Sequence, residues 1–299
     1  MLARLSHLAA LLALLTLSAC DSASDEPAER FPLDLATDDA LGSILTDEAG
    51  RTLYVFAGDA DGLGACAGGC LDAWPVFFAE DLRLASGLDP ADVDQITRAD
   101  GLRQTTYKGW PLYYYAPAGD GQVEAPGSVQ GDGVGEVWFV AKPDYAVLLV
   151  RGQLVGADGT AYTEDLAEGT GLTRYFTDDR GRTLYRFGAD RDGENTFTAP
   201  DFSNDAAWPV YAGNGAAPST AGRSDFGTIS VGGRTQLTYK GWPLYFFGGD
   251  EGRGDTRGVS QPNPGTFLVV NEATAPAPPS SGGSDDGPGD DDPNGGGGY

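Results

Sequence analysis

Short runs of β-branched and aromatic residues recur along the chain, cut by Asp-Gly, Gly-Gly and Pro turns. That punctuation is the spacing of antiparallel sheets. It predicts strands over 43–46, 52–56, 94–97, 102–107, 112–115 and 137–141, with counterparts further along. Glu48-Ala49-Gly50 and Asp178-Asp179-Arg180-Gly181 read as hairpin turns feeding an Arg-Thr-Leu-Tyr strand. In Trp110-Pro111-Leu112-Tyr113-Tyr114-Tyr115, alternation puts Trp110, Leu112 and Tyr114 on one face and Tyr113 and Tyr115 on the other. Both faces are apolar, which suits a strand buried on both sides. Helix signals are scarce, with room for one turn each in 90–96 and 66–74.

The pattern repeats. Gly50-Arg51-Thr52-Leu53-Tyr54-Val55-Phe56 returns as Gly181-Arg182-Thr183-Leu184-Tyr185-Arg186-Phe187, and Ala73-Trp74-Pro75-Val76 as Ala207-Trp208-Pro209-Val210. Thr106-Tyr107-Lys108-Gly109-Trp110-Pro111-Leu112-Tyr113 returns as Thr238-Tyr239-Lys240-Gly241-Trp242-Pro243-Leu244-Tyr245. Three blocks in one order at a nearly constant offset mark a tandem duplication. The expected architecture is all-β: two antiparallel β-rich repeat domains, 34–142 and 171–272, joined by a strand or hairpin in 143–170. Leu-Tyr-x-aromatic also occurs four times, at Leu53, Leu112, Leu184 and Leu244, so each repeat contains two related half-units.

The ends differ from the middle. Residues 1–19 carry one positive charge, Arg4, then an apolar run from Leu8 to Leu17, which is the layout of a secretory signal and too short to span a bilayer. The run closes on Leu17-Ser18-Ala19-Cys20, which resembles the lipobox of bacterial lipoproteins. That resemblance implies cleavage before Cys20 and acylation of Cys20, an anchor to the membrane that needs no transmembrane helix. Residues 20–33 are then a flexible tether, and Asp21 leaves the leaflet open. Residues 273–299 are almost all Pro, Gly, Ser and Asp and read as a disordered acidic tail. In an exported protein Cys66 and Cys70 are expected to form a disulfide, with Gly68 and Gly69 letting so short a loop close. A thiol pair for redox work or metal is the alternative.

Tyr-x-aromatic-x-x-Asp occurs at Tyr54, Phe56 and Asp59, at Tyr185, Phe187 and Asp190, and at Tyr245, Phe247 and Asp250. With Cys-x-x-x-Cys before Ala-Trp-Pro and the Gly-Trp-Pro-Leu-Tyr block, it resembles the "secreted repeat of unknown function" lipoproteins. Those are predicted bacterial envelope proteins defined by this motif. Two departures stand out: Tyr115 lacks the following Asp, and the second copy has no cysteines. The resemblance implies an exported, often lipid-anchored β-rich repeat without an established activity; for the anchor, the outer membrane or cell surface is expected ahead of the inner membrane.

Composition narrows the chemistry. The net charge is −25, which argues against nucleic acid. The single His is His7, inside the signal, so the mature chain lacks the residue that His-dependent hydrolases and His-ligated metal sites require. A non-catalytic binding or scaffold module, with an envelope protein or a glycan as partner, is the leading expectation. Trp110, Tyr113, Tyr115, Trp242 and Tyr245 could instead form a platform stacking on sugar rings or another flat ligand. Asp59, Asp61, Asp190, Asp192 and Asn195 offer oxygens on tight turns that could hold Ca²⁺, although Asp-Gly is also an ordinary hairpin turn. No other cofactor is expected. A paired-carboxylate hydrolase remains the enzymatic alternative, though no spacing singles out a pair. Arg253-Gly254-Asp255 reads as chance in an Asp- and Gly-rich loop.

Overall fold

Asp38 turns the chain back on itself by accepting the Ala40 and Leu41 backbone N–H groups, and this sets the first hairpin. β1 (Asp34–Asp38) and β2 (Gly42–Thr46) pair antiparallel, Asp34 opposite Thr46. The structure is a computed structural model and describes residues 32–280. The signal, Cys20, the tether up to residue 31 and the tail from 281 lie outside the described residues.

Repeat one continues with β3 (Tyr54–Phe56), the single-turn α1 (Cys70–Ala73), and a meander of β4 (Val93–Thr97), β5 (Arg103–Tyr107) and β6 (Trp110–Pro111). β7 (Trp138–Val140) returns to pair with β3. Repeat two has β8 (Leu148–Val155), β9 (Ala161–Tyr162), β10 (Leu172–Thr177) and β11 (Tyr185–Phe187). It then has a second meander, β12 (Phe226–Val231), β13 (Arg234–Tyr239) and β14 (Trp242–Pro243). β15 (Phe267–Val269) pairs with β11 as β7 pairs with β3. The architecture is therefore all-β, built of small antiparallel sheets with almost no helix.

β8 opposes β10 with Leu148 facing Thr177, just as Asp34 faces Thr46, so β8 stands in repeat two where β1 stands in repeat one. The stretch 112–115, expected as a strand, is held differently. Tyr113 makes single-residue bridges to both Tyr54 and Val76. Its two faces still enter two cores. Trp110 and Leu112 belong to the main cluster, with Tyr114 packed against it. Tyr113, with Tyr115 against it, joins Tyr54, Trp74 and Trp138 in a smaller one. The main cluster runs through both repeats without a break.

The turn between β5 and β6 explains the Tyr-Lys-Gly-Trp block. Tyr107 pairs with Trp110 across a two-residue loop, and Lys108 and Gly109 both have positive φ (50° and 78°). That is the type I′ geometry, which matches the twist of antiparallel strands. Lys240 and Gly241 repeat it at 47° and 83°.

Cys66 and Cys70 form the expected disulfide, Cα atoms 5.5 Å apart. Closing a five-residue loop removes little chain entropy, about 2 kcal/mol at most. Replacing both cysteines with serine should lower stability by no more than that, read by denaturant unfolding. A collapse of the whole fold would show that the loop holds more than its own closure.

Candidate functional site

The motif residues are not presented to solvent; they interlock. Within each repeat the two motif tyrosines exchange backbone hydrogen bonds, Tyr54 with Tyr113 (2.8 and 2.9 Å) and Tyr185 with Tyr245 (2.9 Å each). Each tyrosine then donates its O–H to the carboxylate of the other half-unit. Tyr113 reaches Asp59 Oδ2 (2.8 Å), Tyr245 reaches Asp190 Oδ2 (2.7 Å) and Tyr185 reaches Asp250 Oδ2 (2.8 Å). Tyr54 donates to Glu124, which fills the place of the missing Asp after Tyr115. The second oxygen of each carboxylate is also taken. Asp59 Oδ1 accepts the Ala65 N–H, Asp190 Oδ1 the Thr196 N–H, Glu124 Oε2 the Gln130 N–H and Asp250 Oδ1 the Arg257 N–H. A tyrosine from one half-unit is thus locked to a carboxylate and its loop from the other, four times.

Two glycines permit the closest approaches. Gly131 and Gly258 donate their N–H groups to the Tyr54 and Tyr185 hydroxyls. A Cβ on either would stand 2.8 or 2.7 Å from the tyrosine ring, closer than carbon atoms can pack.

The electrostatics follow from burial. Asp59 and Asp190 are 0% exposed. Desolvation pushes the Asp59 carboxyl up to about 6 and that of Asp250 up to about 7, against the hydrogen bonds that favour ionisation. Desolvation also raises Asp190. The hydroxyls of Tyr54, Tyr113, Tyr185 and Tyr245 are raised far above the tyrosine range by burial first and by the facing carboxylates second. Arg98, 4% exposed, donates to the Tyr113 oxygen (3.1 Å), to Gln104 (2.6 Å) and to the Cys66 carbonyl, tying the disulfide loop to this clamp. Repeat two has no cysteines there; Gln236, the counterpart of Gln104, instead accepts from Asn195 (2.7 Å).

The aromatics weighed as a ligand platform do not line an open groove, which corrects that reading. Tyr113 and Tyr245 are fully buried, Trp110 and Trp242 nearly so, and Tyr115 lies tilted against Trp74 at 4.4 Å. The void that Trp110 borders measures about 10 Å³. A cleft of about 480 Å³ lined by Glu136, Arg151, Leu172, Arg174 and Asn271 contains none of these five. The oxygens weighed for Ca²⁺ are not gathered either. Asp59 and Asp190 point into the clamps, Asp61 Oδ1 accepts the Leu63 N–H (2.9 Å), and Asn195 turns to Thr198 and Gln236. Among the described residues no group of three or more Asp, Glu, Cys or His is placed to hold a metal ion.

Sequence reasoning missed Glu124, Arg98 and the repeat-joining side chains. Lys108 Nζ meets Asp179 Oδ2 (2.7 Å), and Trp110 Nε1–H donates to the Asp179 carbonyl (2.9 Å), so the type I′ turn of repeat one grips the hairpin turn of repeat two. Arg253, of the Arg253-Gly254-Asp255 tripeptide, lies 4.7 Å over the Trp110 ring and donates to the Lys108 carbonyl (2.8 Å). The recurrence of Lys-Gly-Trp in both copies was the available signal. Residues 273–278, expected as part of a disordered tail, are held against repeat two. Trp242 Nε1–H donates to the Ala275 carbonyl (2.8 Å), and the Ala277 N–H donates to that of Lys240 (2.8 Å).

No described helix is long and apolar enough to cross a membrane. Neither the curated proteins nor the solved structures compared contain a match to the chain. A family model described as a secreted repeat of unknown function matches at residues 36–77, 95–142 and 229–261. The first match takes in the Tyr54 motif and the disulfide, the second Tyr113 with Glu124, and the third Tyr245 with Asp250. Three stretches of the chain, two in repeat one and one in repeat two, match the secreted repeat of unknown function.

Proposed function

We propose that the protein is a non-catalytic module of the bacterial cell envelope, lipid-anchored through Cys20 on the outer membrane or cell surface, where its repeats act as a scaffold for an envelope protein or glycan. One observation carries the reading. The motif's chemistry-bearing groups, four tyrosines and four carboxylates, are spent on each other inside the fold, with both oxygens of every carboxylate occupied. Groups so placed hold half-units together and leave the surface to do the binding. The acidic charge favours cations or basic partners and disfavours nucleic acid and anionic headgroups.

Anchoring is tested by Cys20→Ser. The protein should move from the membrane fraction to the soluble one and lose acyl labelling. A mature chain with Cys20 unmodified would contradict the anchor while leaving the fold untouched.

A further inference from the structure

The two repeats end in the same device but close it differently. At the end of repeat one, Lys108 and Trp110 hold the turn 178–181 of repeat two by a salt bridge and an indole hydrogen bond to Asp179. The corresponding pair in repeat two, Lys240 and Trp242, meets no such turn among the described residues. A strap, residues 272–278, lies there instead. Trp242 Nε1–H donates to the Ala275 carbonyl, where Trp110 donates to that of Asp179. The Ala277 N–H meets the Lys240 carbonyl, and the Asp192 N–H meets that of Pro278 (2.8 Å).

The strap is an incomplete substitute. Lys108 has both a backbone carbonyl, that of Pro143 (2.9 Å), and the Asp179 carboxylate. Lys240 has the matching carbonyl, that of Glu272 (2.7 Å), but makes no ion pair among the described residues, although the chain carries a charge of −25. A cleft of about 470 Å³ opens beside the strap, lined by Lys240, Asp225, Pro276 and Ala277 among others. The strap therefore answers the indole and leaves the ammonium without its carboxylate.

We infer that the Lys240–Trp242 face is a repeat-docking surface, capped in cis by residues 272–278, whose partner in trans is the acidic turn 47–50 of a second copy of this chain. That turn has the shape the site already receives once in this molecule. Asp47 Oδ1 accepts the Ala49 and Arg51 N–H groups (2.9 Å each), as Asp178 Oδ1 accepts those of Arg180 and Arg182 (2.9 and 2.8 Å). Glu48 falls at the position of Asp179, carries the needed carboxylate, and is exposed. Docking repeat two of one copy onto repeat one of the next is a heterologous contact, which grows open-ended unless something stops it. Terminal caps are how tandem arrays stop.

The test is sedimentation velocity over a concentration series on three proteins: the full chain, a chain ending at Asn271, and a full-length variant with residues 274–278 replaced by glycine and serine. The full chain should remain monomeric. Both strap variants should self-associate at least about tenfold more tightly, and adding Glu48→Lys to either should return it to monomer. Folded variants, by near-UV circular dichroism, that stay monomeric would overturn the inference, as would association indifferent to Glu48→Lys. Should both variants fail to fold, carbodiimide cross-linking of a concentrated full-length Ala277→Pro chain, whose strap loses the N–H it gives to the Lys240 carbonyl, decides. An intermolecular Lys240–Glu48 link supports the docking mode, and its absence counts against it.

Discussion

Tyr245→Ala should take away a large share of the folding stability of the protein, and Tyr245→Phe a smaller, well-defined part of it. Tyr245 is fully buried and its ring packs edge-on against Phe267. Removing a buried aromatic ring costs roughly 3–5 kcal/mol in lost transfer and cavity energy. The phenylalanine variant keeps the ring and deletes only the O–H, leaving the Asp190 carboxylate short of a donor inside the fold. An unsatisfied buried group of that kind costs about 1–3 kcal/mol. Against a typical total of about 5–15 kcal/mol, the alanine variant is expected to lose a large share of its stability and the phenylalanine variant a smaller one. Denaturant unfolding of the two variants beside the parent checks both numbers. A Tyr245→Phe protein as stable as the parent would mean that the hydroxyl contributes nothing to the interlock.

Stability should also fall as the pH rises from about 4 to about 7. Burial holds the Asp59 and Asp250 carboxyls up at about 6 and about 7, above the value near 4 that they have in the unfolded chain. Between those limits the folded state keeps a proton that the unfolded state has already released. The contribution is therefore complete below pH about 4 and lost by the time the folded groups ionise. Each carboxyl contributes on the order of 3 kcal/mol to that decline. The neighbouring charges are Asp61 and Arg98 for Asp59, and Asp255 and Arg257 for Asp250; all are smaller influences than desolvation. Asp250→Asn mimics the neutral acid and should flatten the slope between pH 5 and 7, measured as the urea midpoint against pH. A parent protein whose stability climbs with pH across this range would contradict the burial of these groups as ionisable partners.

Much of the fold was legible because each strand has a local cause. β5, at Arg103–Tyr107, falls inside the strand that alternation put at 102–107, whereas the Lys108-Gly109 turn sets β6 at Trp110–Pro111, ahead of the strand expected at 112–115. What the sequence hid is what acts at a distance. The motif spacing groups Tyr54 with Asp59, whereas the hydrogen bonds group Tyr113 with Asp59 and Tyr54 with Glu124. Glu124 lies nine residues beyond Tyr115, so no fixed spacing points to it. β8 escaped recognition as the partner of β10 because the hairpin arm carrying β9 separates them, while β1 and β2 are joined by a tight turn. Residues 273–278 read as disordered because their composition offers no core. Lys240, Trp242 and Asp192 bind them through backbone groups, which composition does not record.

The central claim, that the motif tyrosines and carboxylates are exchanged between half-units, is tested most directly by a pair of double-mutant cycles in repeat two. One combines Tyr245→Phe with Asp190→Asn, the hydrogen-bonded partners from different half-units. The other combines Tyr245→Phe with Asp250→Asn, neighbours within one motif whose partners lie elsewhere. The first cycle should show a coupling of about 1–3 kcal/mol and the second less than about 0.5 kcal/mol. Coupling confined to Tyr245 and Asp250, with none to Asp190, would contradict the exchange.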